Sequence, residues 1–406
     1  MRPIEEVRME IAGSMRRLPV ETVSYSSSVG RVLARSVVSR ENIPSFANSS
    51  MDGFAVRSAD VAQPGAVLEI LADIAAGQVA EVSVGESEAI RIMTGAPMPD
   101  GADAVVRVED TTVEGEKVTI GVSVENGNYV RPAGGDVRSG TTVMDAGTRI
   151  TPVHVGVLAT VGVTEVEVST RPKVGVFSTG DELAPPETPS LGPGMIRDSN
   201  RPMLVGLLEG AGADVIDYGR VADDADLFRA TLGRVAVESD VIVTSGGVSM
   251  GDYDVTKIVL RDEADVDFMQ VAMKPGKPLG FGRVGGVPFF GLPGNPVSSL
   301  VSFENFVRPS LLTMQGARLL HRPRVPGTAG GTFKTDPAKT VFVRVVVDDE
   351  WVAREAGDQS SNVLSAAAVA GAFAVVPRGV ATVNPGDPVV LELFRSPETR
   401  ELSDEQ

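Results

Sequence analysis

The chain has 406 residues, 42% of them hydrophobic, and a formal charge of −17 from 54 acidic against 37 basic side chains. That length exceeds what one hydrophobic core serves and implies about two to four domains, while the charge argues against broad contact with nucleic acid or an acidic membrane, both of which need a basic face. The lack of cysteine rules out disulfides, thiolate metal sites, iron–sulfur clusters and thiol nucleophiles.

The opening MRPIEEVRMEI mixes charges, and no apolar run is long enough to span a bilayer, so the chain reads as soluble and cytoplasmic. Ile4, Val7, Ile11 and Met15 recur at helical spacing and predict an amphipathic helix. A Ser-rich turn and the segment 29–38 follow. From 43 to about 140 the pattern changes to short Val-rich runs broken by Gly and Pro, at 66–75, 88–93, 104–109 and 117–122, which predict a small all-β unit. Residues 148–168 return to a helix-like pattern through Val153, Val157, Leu158 and Val161, then a strand at 164–168. Packing of this piece against the first 45 residues would make the β unit an insertion: a discontinuous N-terminal domain (1–45 and 141–170) around a β domain (46–140).

From 171 strands and helices alternate: strands at 173–178, 213–218 and 240–244, helices at 201–209 and 225–237. Asp198, Ser199 and Asn200 offer N-cap chemistry, and Gly210 and Gly212 stop the first helix. Runs at 279–284 and 287–291 flank Gly285-Gly286, a hairpin turn, and a last helix at 296–314 starts on Pro296 and carries Val297, Leu300, Val301, Phe303 and Phe306 on much of its surface. This predicts an α/β domain (171–318), mostly parallel, with helices on both faces. Strands at 341–347, 372–376 and 388–393 predict a C-terminal β-barrel-like domain (319–395), and the polar tail 396–406 reads as disordered.

Three strand-loop-helix edges concentrate the chemistry: 173–183 (KVGVFSTGDEL), 240–257 (DVIVTSGGVSMGDYDVTK) and 289–299 (FFGLPGNPVSS). In a parallel sheet such ends converge on one crevice. Ser245, Gly246 and Gly247 free backbone N–H groups to surround an anion, with a helix dipole behind them, although a glycine pair also serves simply to turn the chain. Asp181, Glu182, Asp252 and Asp254 would lie beside that loop, and Lys257 follows one turn later. Such carboxylates either cap helices or hold a hard cation, and oxygen donors without Cys or His favour Mg²⁺ over zinc. In MKPGKP, Lys274 and Lys277 are held three residues apart by prolines, an arrangement that an anion between them relieves. Pro293, Asn295, Pro296 and Ser298 form a third helix start suited to an oxyanion.

Outside this domain three loops are dense in polar residues: 45–56 (SFANSSMDGFAV) with Asp52, 93–106 (MTGAPMPDGADAVV) with Thr94, and 131–143 (RPAGGDVRSGTTV) with Arg131, Asp136 and Arg138. Each is compatible with an ordinary turn. His154 and His321 stand apart from any Ser and Asp that would complete a hydrolytic triad and read as structural.

Taken in order, SSMDGFAV, TGAPMPDGADAVV, GGDVRSG, FSTGDEL, SGGVSMGDYD, KPGKP and GLPGNPVS resemble the molybdopterin molybdenumtransferase family, related to the E domain of gephyrin. The resemblance implies an elongated four-domain homodimer that takes adenylylated molybdopterin and molybdate and releases AMP, in a cleft shared between the α/β domain of one protomer and the inserted β domain of the other. It matches Glu182, Asp223 and Asp254 to acids at the pterin and Mg²⁺ end, and Asp52, Thr94 and Asp136 to residues of the inserted domain. Lys274, Lys277 and Ser298 match a molybdate pocket, to which Arg344 and Ser361 would add from the last domain. Gln270 stands where some relatives have lysine. Other cofactor-biosynthesis proteins are candidate partners; nucleic acid and membrane are not expected. Two rival readings stand beside this one: an adenylyltransferase or other nucleotide-processing enzyme on the same α/β fold, and a non-catalytic pterin-binding scaffold.

Overall fold

The computed structural model describes residues 1–247, 259–260 and 264–395. Its centre is a six-stranded sheet in the order Asp214–Val221, Lys173–Thr179, Val241–Ser245, Val287–Leu292, Pro278–Val284, Asp265–Gln270. The first four strands run parallel, and Pro278–Val284 alone is antiparallel to its neighbours. Strand alternation sends Val174, Val176, Val241 and Val243 to one face, where Leu204 and Leu208 of helix Asn200–Gly210 and Phe303 and Phe306 of the last helix cover them. Phe177, Ile242 and Phe289 point the other way, against Phe228, Leu232 and Val235 of helix Ala225–Glu238. The predicted mostly parallel α/β sheet with helices on both faces is therefore present, with one antiparallel strand. The strand Asp265–Gln270 was not anticipated, because as an edge strand it alternates Asp265 and Asp267 with apolar residues over a short span.

The last helix is continuous from 296 to 315 but widens to a π turn at Phe303–Val307, where Arg308 N donates to Phe303 O. Pro309 follows immediately; it has no N–H to give to the preceding turn, and the wider turn accommodates its ring.

The opening helix Ile4–Ser14 buries Ile4, Val7 and Ile11 in the α/β core, beside Leu311 and Met314. This corrects the expectation that all of residues 1–45 packs with 141–170. The pairing partner there is the strand Val20–Ser24, antiparallel to Glu165–Ser169, and the shared small core comprises Leu33, Val37, Met144, Leu158 and Val168.

Between these segments lies a second six-stranded sheet, ordered Ala104–Arg107, Gly53–Val56, Glu88–Ile92, Val67–Ile74, Lys117–Ile120, Thr111–Glu114. Phe54 and Val56 feed a core on one side, Ala55 one on the other. Gly53 is required by close approach: a Cβ there would lie 1.9 Å from the Val106 carbonyl oxygen.

At the C-terminal end, Thr340–Val347, Val352–Glu355, Arg324–Ala329, Pro388–Leu393 and Ala372–Val376 pair in turn, and the last pairs back with the first. Closure leaves this barrel without an open edge. Met273–Lys274 adds to it in parallel, Lys274 opposite Val341, so the loop after Asp265–Gln270 is hydrogen-bonded into the barrel.

Candidate active site

The ends of the three strands that carry these loops lie side by side. Ser178, Ser245 and Leu292 lie in register at the carboxyl ends of adjacent parallel strands, the position where open α/β sheets bind ligands. Gly246 takes φ +95°, and a Cβ there would stand 2.5 Å from the Thr179 carbonyl oxygen. Its N–H donates to Leu292 O at 3.1 Å. Gly247 also takes positive φ, +68°. Asn200 ties the edges together: its Nδ2 donates to Ser245 Oγ and to Gly294 O, both at 2.7 Å, while its buried Oδ1 has no partner among the described residues. Of the three N-cap candidates, Ser199 occupies the cap without a side-chain bond. Asp198 instead accepts from Ser178 Oγ at 2.6 Å and from Arg201.

Beside this floor, Asp181 and Asp223 each accept the other's backbone N–H at 3.3 Å, and Arg220 reaches Asp181 at 3.5 Å. The exposed Glu182 carboxylate folds over Gly180, where a Cβ would stand 2.6 Å from Glu182 Oε2. Asp252, Asp254 and Lys257 lie outside the described residues. Among the described residues no three His, Asp or Glu side chains close on one point.

Lys274, Lys277, Ser298 and Ser361 are gathered elsewhere, around a cavity of about 630 Å³ between the α/β sheet and the barrel. Its walls are residues 273–278, Ser298, Lys339 and residues 358–362. Pro296 occupies the first turn of the helix that carries Ser298, and the next N–H, of Val297, donates to Ser361 O at 3.1 Å. Lys339 joins the two predicted lysines and pairs with Asp336 at 2.6 Å. That hydrogen bond first, then Ala338 N–H, holds the Asp336 carboxyl below its ordinary value, with a smaller contribution from Lys274. Lys339 was not singled out from the sequence, because its place depends on the pairing of Met273–Lys274 with a strand far along the chain. Arg344 is not among the lining residues. It is buried, with 1% exposure, and donates to the carbonyls of Asp358, Ser360 and Val363 and to Gln359 Oε1. Gln270 ends the edge strand, its carbonyl accepting from Arg2 N at 2.8 Å. Pro293 lies one residue before Gly294 in the loop that Asn200 holds.

The three polar loops of the second sheet also come together. Ser49 N donates to Ala96 O and Gly95 N to Ser49 O, while Ser50 N donates to Tyr129 O and Asp136 N to Ile43 O. Thr94 gives its N–H and its hydroxyl to Asp52 Oδ1. The Asp136 side chain is exposed on the neighbouring turn.

With this geometry in view, three family patterns match in chain order: "MoeA N-terminal region (domain I and II)" over 2–162, "Probable molybdopterin binding domain" over 175–313 and "MoeA C-terminal region (domain IV)" over 326–394. The chain is 41% identical over 360 residues to molybdopterin molybdenumtransferase 2 of Mycobacterium tuberculosis, covering 86% of this chain and 89% of that protein. It belongs to the molybdopterin molybdenumtransferase family. The Haemophilus influenzae molybdopterin molybdenumtransferase is 35% identical over 380 residues, covering 92% and 94% of the two chains. The crystal structure of the molybdopterin biosynthesis moeA protein of Pyrococcus horikoshii superposes with a TM-score of 0.87 at 28% identity, covering 97% of this chain and all of that one. The family likeness thus spans the α/β sheet, the second sheet and the barrel, the elements that carry the Gly-Gly crevice, the Asp52 loops and the lysine cavity. Among the described residues no helix is long and apolar enough to cross a membrane.

Proposed function

We propose that this chain inserts molybdenum into molybdopterin, taking the adenylylated pterin and molybdate and releasing AMP. The observation that carries this reading is the lysine cavity: Lys274, Lys277 and Lys339 surround about 630 Å³ on a protein of charge −17. A tetrahedral oxyanion of charge −2 needs this kind of local reversal of potential. Ser298, near the start of its helix, adds a hydroxyl donor and the positive end of the dipole. In the Gly-Gly crevice the buried Asn200 Oδ1 has no partner among the described residues, which suits a hydrogen-bonding substrate group.

In this reading Lys274 and Lys277 hold molybdate, and Ser245, Gly246, Gly247, Pro293 and Pro296 border the pterin phosphate end. Arg344 acts through the loop it holds, with Ser361 at the cavity wall. Glu182, Asp223 and Asp254 would hold Mg²⁺, which when bound neutralises the phosphoanhydride; of these, the exposed carboxylates of Asp223 and of Glu182, folded over Gly180, fit a hard cation. Asp52, Thr94 and Asp136 act in the cleft of a second copy, which gives a purpose to the exposed acids of these polar loops.

The test is purified protein with adenylylated molybdopterin, Mg²⁺ and molybdate, followed by AMP release. Release should depend on molybdate, and Glu182→Gln and Lys274→Ala should each lower turnover at least tenfold with unchanged circular dichroism. Wild-type rates in both folded variants would overturn the assignment.

A further inference from the structure

Both histidines of the chain, His154 and His321, line a single cavity of about 500 Å³ that shares no residue with the lysine cavity. The same walls contain Arg149, Arg308 and Arg318, with Leu312, Ala317 and Leu319 as their apolar part, and among the described residues no carboxylate. On a chain of charge −17, a cavity lined with three arginines, two histidines and, among the described residues, no acid marks a local reversal of potential.

The cavity is built by a tight approach of two turns. Arg318 N donates to Gly147 O at 2.9 Å. Gly147 takes φ +81°, and a Cβ there would lie 2.8 Å from Gly316 O. The cations around it are not neutralised by one another's partners. Arg149 donates to two carbonyls, Gly30 O at 3.2 Å and Gly210 O at 3.0 Å. Arg308 donates to Leu320 O at 3.0 Å and stands 3.9 Å from Glu304. Glu304 in turn is held by both arms of Arg322 at 2.8 and 2.9 Å. Arg318 pairs with Asp145 at 2.5 Å, but both are 59% exposed, where such a pair contributes little. Burial first, then the charge of Arg322, pushes Arg308 down to about 10. Burial, then Arg322 and Arg171, also lowers Arg149. His154 accepts from Thr151 N through Nδ1 at 3.0 Å, so its neutral ring keeps the proton on Nε2, a donor.

We propose that this cavity is a second ligand site, taking a phosphomonoester whose apolar body rests on Leu312, Ala317 and Leu319 while Arg149, Arg308 and Arg318 receive the phosphate. Guanidinium forks match phosphate oxygens in pairs, the three face only an exposed Asp145 and a Glu304 already held by Arg322, and the volume lies in the range of small-molecule pockets.

The two histidines are the readout. In protein labelled at histidine, the spectrum holds one signal from each, both at this cavity, and the proposal does not depend on the function proposed above. Titration with inorganic phosphate should move both signals saturably, and phenyl phosphate should saturate at several-fold lower concentration. Phenol alone should shift neither at those concentrations. The Arg149→Gln, Arg318→Gln double variant should weaken phenyl phosphate at least tenfold while AMP release stays within twofold of wild type; Arg318→Gln alone, at an exposed position, should give a smaller loss and guards against misfolding of the pair. Shifts that stay linear in ligand, or wild-type affinity in the double variant, would overturn the proposal. So would variants that change only the sedimentation of the protein, since the cavity would then face a second copy.

Discussion

Thr94 gives both its backbone N–H and its hydroxyl to one carboxylate oxygen of Asp52, at 2.7 and 2.8 Å. The pair closes the end of the strand Glu88–Ile92 onto the turn before Gly53–Val56, and it fixes an exposed acid in one orientation. Asp52→Asn should keep the fold, since the site is solvent-exposed, yet lower AMP release at least tenfold; Thr94→Val, which keeps the backbone bond, should lose less. Both are read by steady-state turnover with circular dichroism as the fold control.

The same contact sets a pH dependence. The two donations from Thr94, the backbone one first, hold the Asp52 carboxyl below its ordinary 3.8. A carboxyl lowered by folding contributes stability above its unfolded value and loses it as pH falls through the lower folded value. The Asp52–Thr94 contact should therefore be unchanged between pH 7 and pH 5 and should open only below the ordinary carboxylate range. Carboxyl carbon NMR of Asp52 checks this; a midpoint at or above 3.8 would contradict it.

Much of this was legible because the relevant residues are local. Gly246 and Gly247 follow a strand by one residue, Lys274 and Lys277 share one stiff loop, and the density of Ser, Asp and Gly around Asp52 singles out its turn. What was not legible depends on distant pairings. Lys339 becomes a cavity residue only because Met273–Lys274 pairs with Thr340 and Val341. The resemblance places Arg344 at the molybdate pocket, yet its strand is one wall of a closed barrel and its guanidinium is enclosed by the loop it holds. The opening helix shows the same limit: periodicity gives its apolar face, but not which of two cores that face enters.

Arg344 supports a prediction about that loop. It donates to three backbone carbonyls and to Gln359, all of which lose a partner in Arg344→Ala. A buried acceptor left unsatisfied costs about 1–3 kcal/mol; these four lie on exposed and half-buried residues that water reaches, so a summed loss of about 3 kcal/mol is expected. Urea unfolding measures it. Because Ser360 O and Asp358 O are released together, the molybdate KM should rise more than kcat falls. Arg344→Lys should rescue only part, since an ammonium cannot span the same carbonyls.

Gly246 carries the conformational prediction. At φ +95°, with Thr179 O at 2.5 Å from a would-be Cβ, Gly246→Ala must both enter a disfavoured backbone region and move its neighbour, at about 1–3 kcal/mol. Gly285 offers the comparison: it has φ +57° and its nearest neighbour, Ala236 Cβ, is 3.8 Å away, so Gly285→Ala pays for backbone conformation alone, about 1 kcal/mol. Thermal unfolding should rank the two, and only Gly246→Ala should also slow AMP release.

Lys339 separates binding charge from scaffold. Its bond to Asp336 is 2.6 Å, with side chains 21% and 29% exposed, a setting in which an ion pair contributes no more than about 1 kcal/mol. Lys339→Ala should therefore barely move the unfolding midpoint. If its charge serves the oxyanion, the variant should raise the molybdate KM about five- to tenfold, with kcat nearly intact and a weaker dependence of KM on salt, because one of the cations screened by salt is gone. Lys339→Arg keeps the charge and should recover most of the loss. An unchanged KM in Lys339→Ala would place this lysine in the barrel's surface alone and leave Lys274 and Lys277 to hold the anion between them.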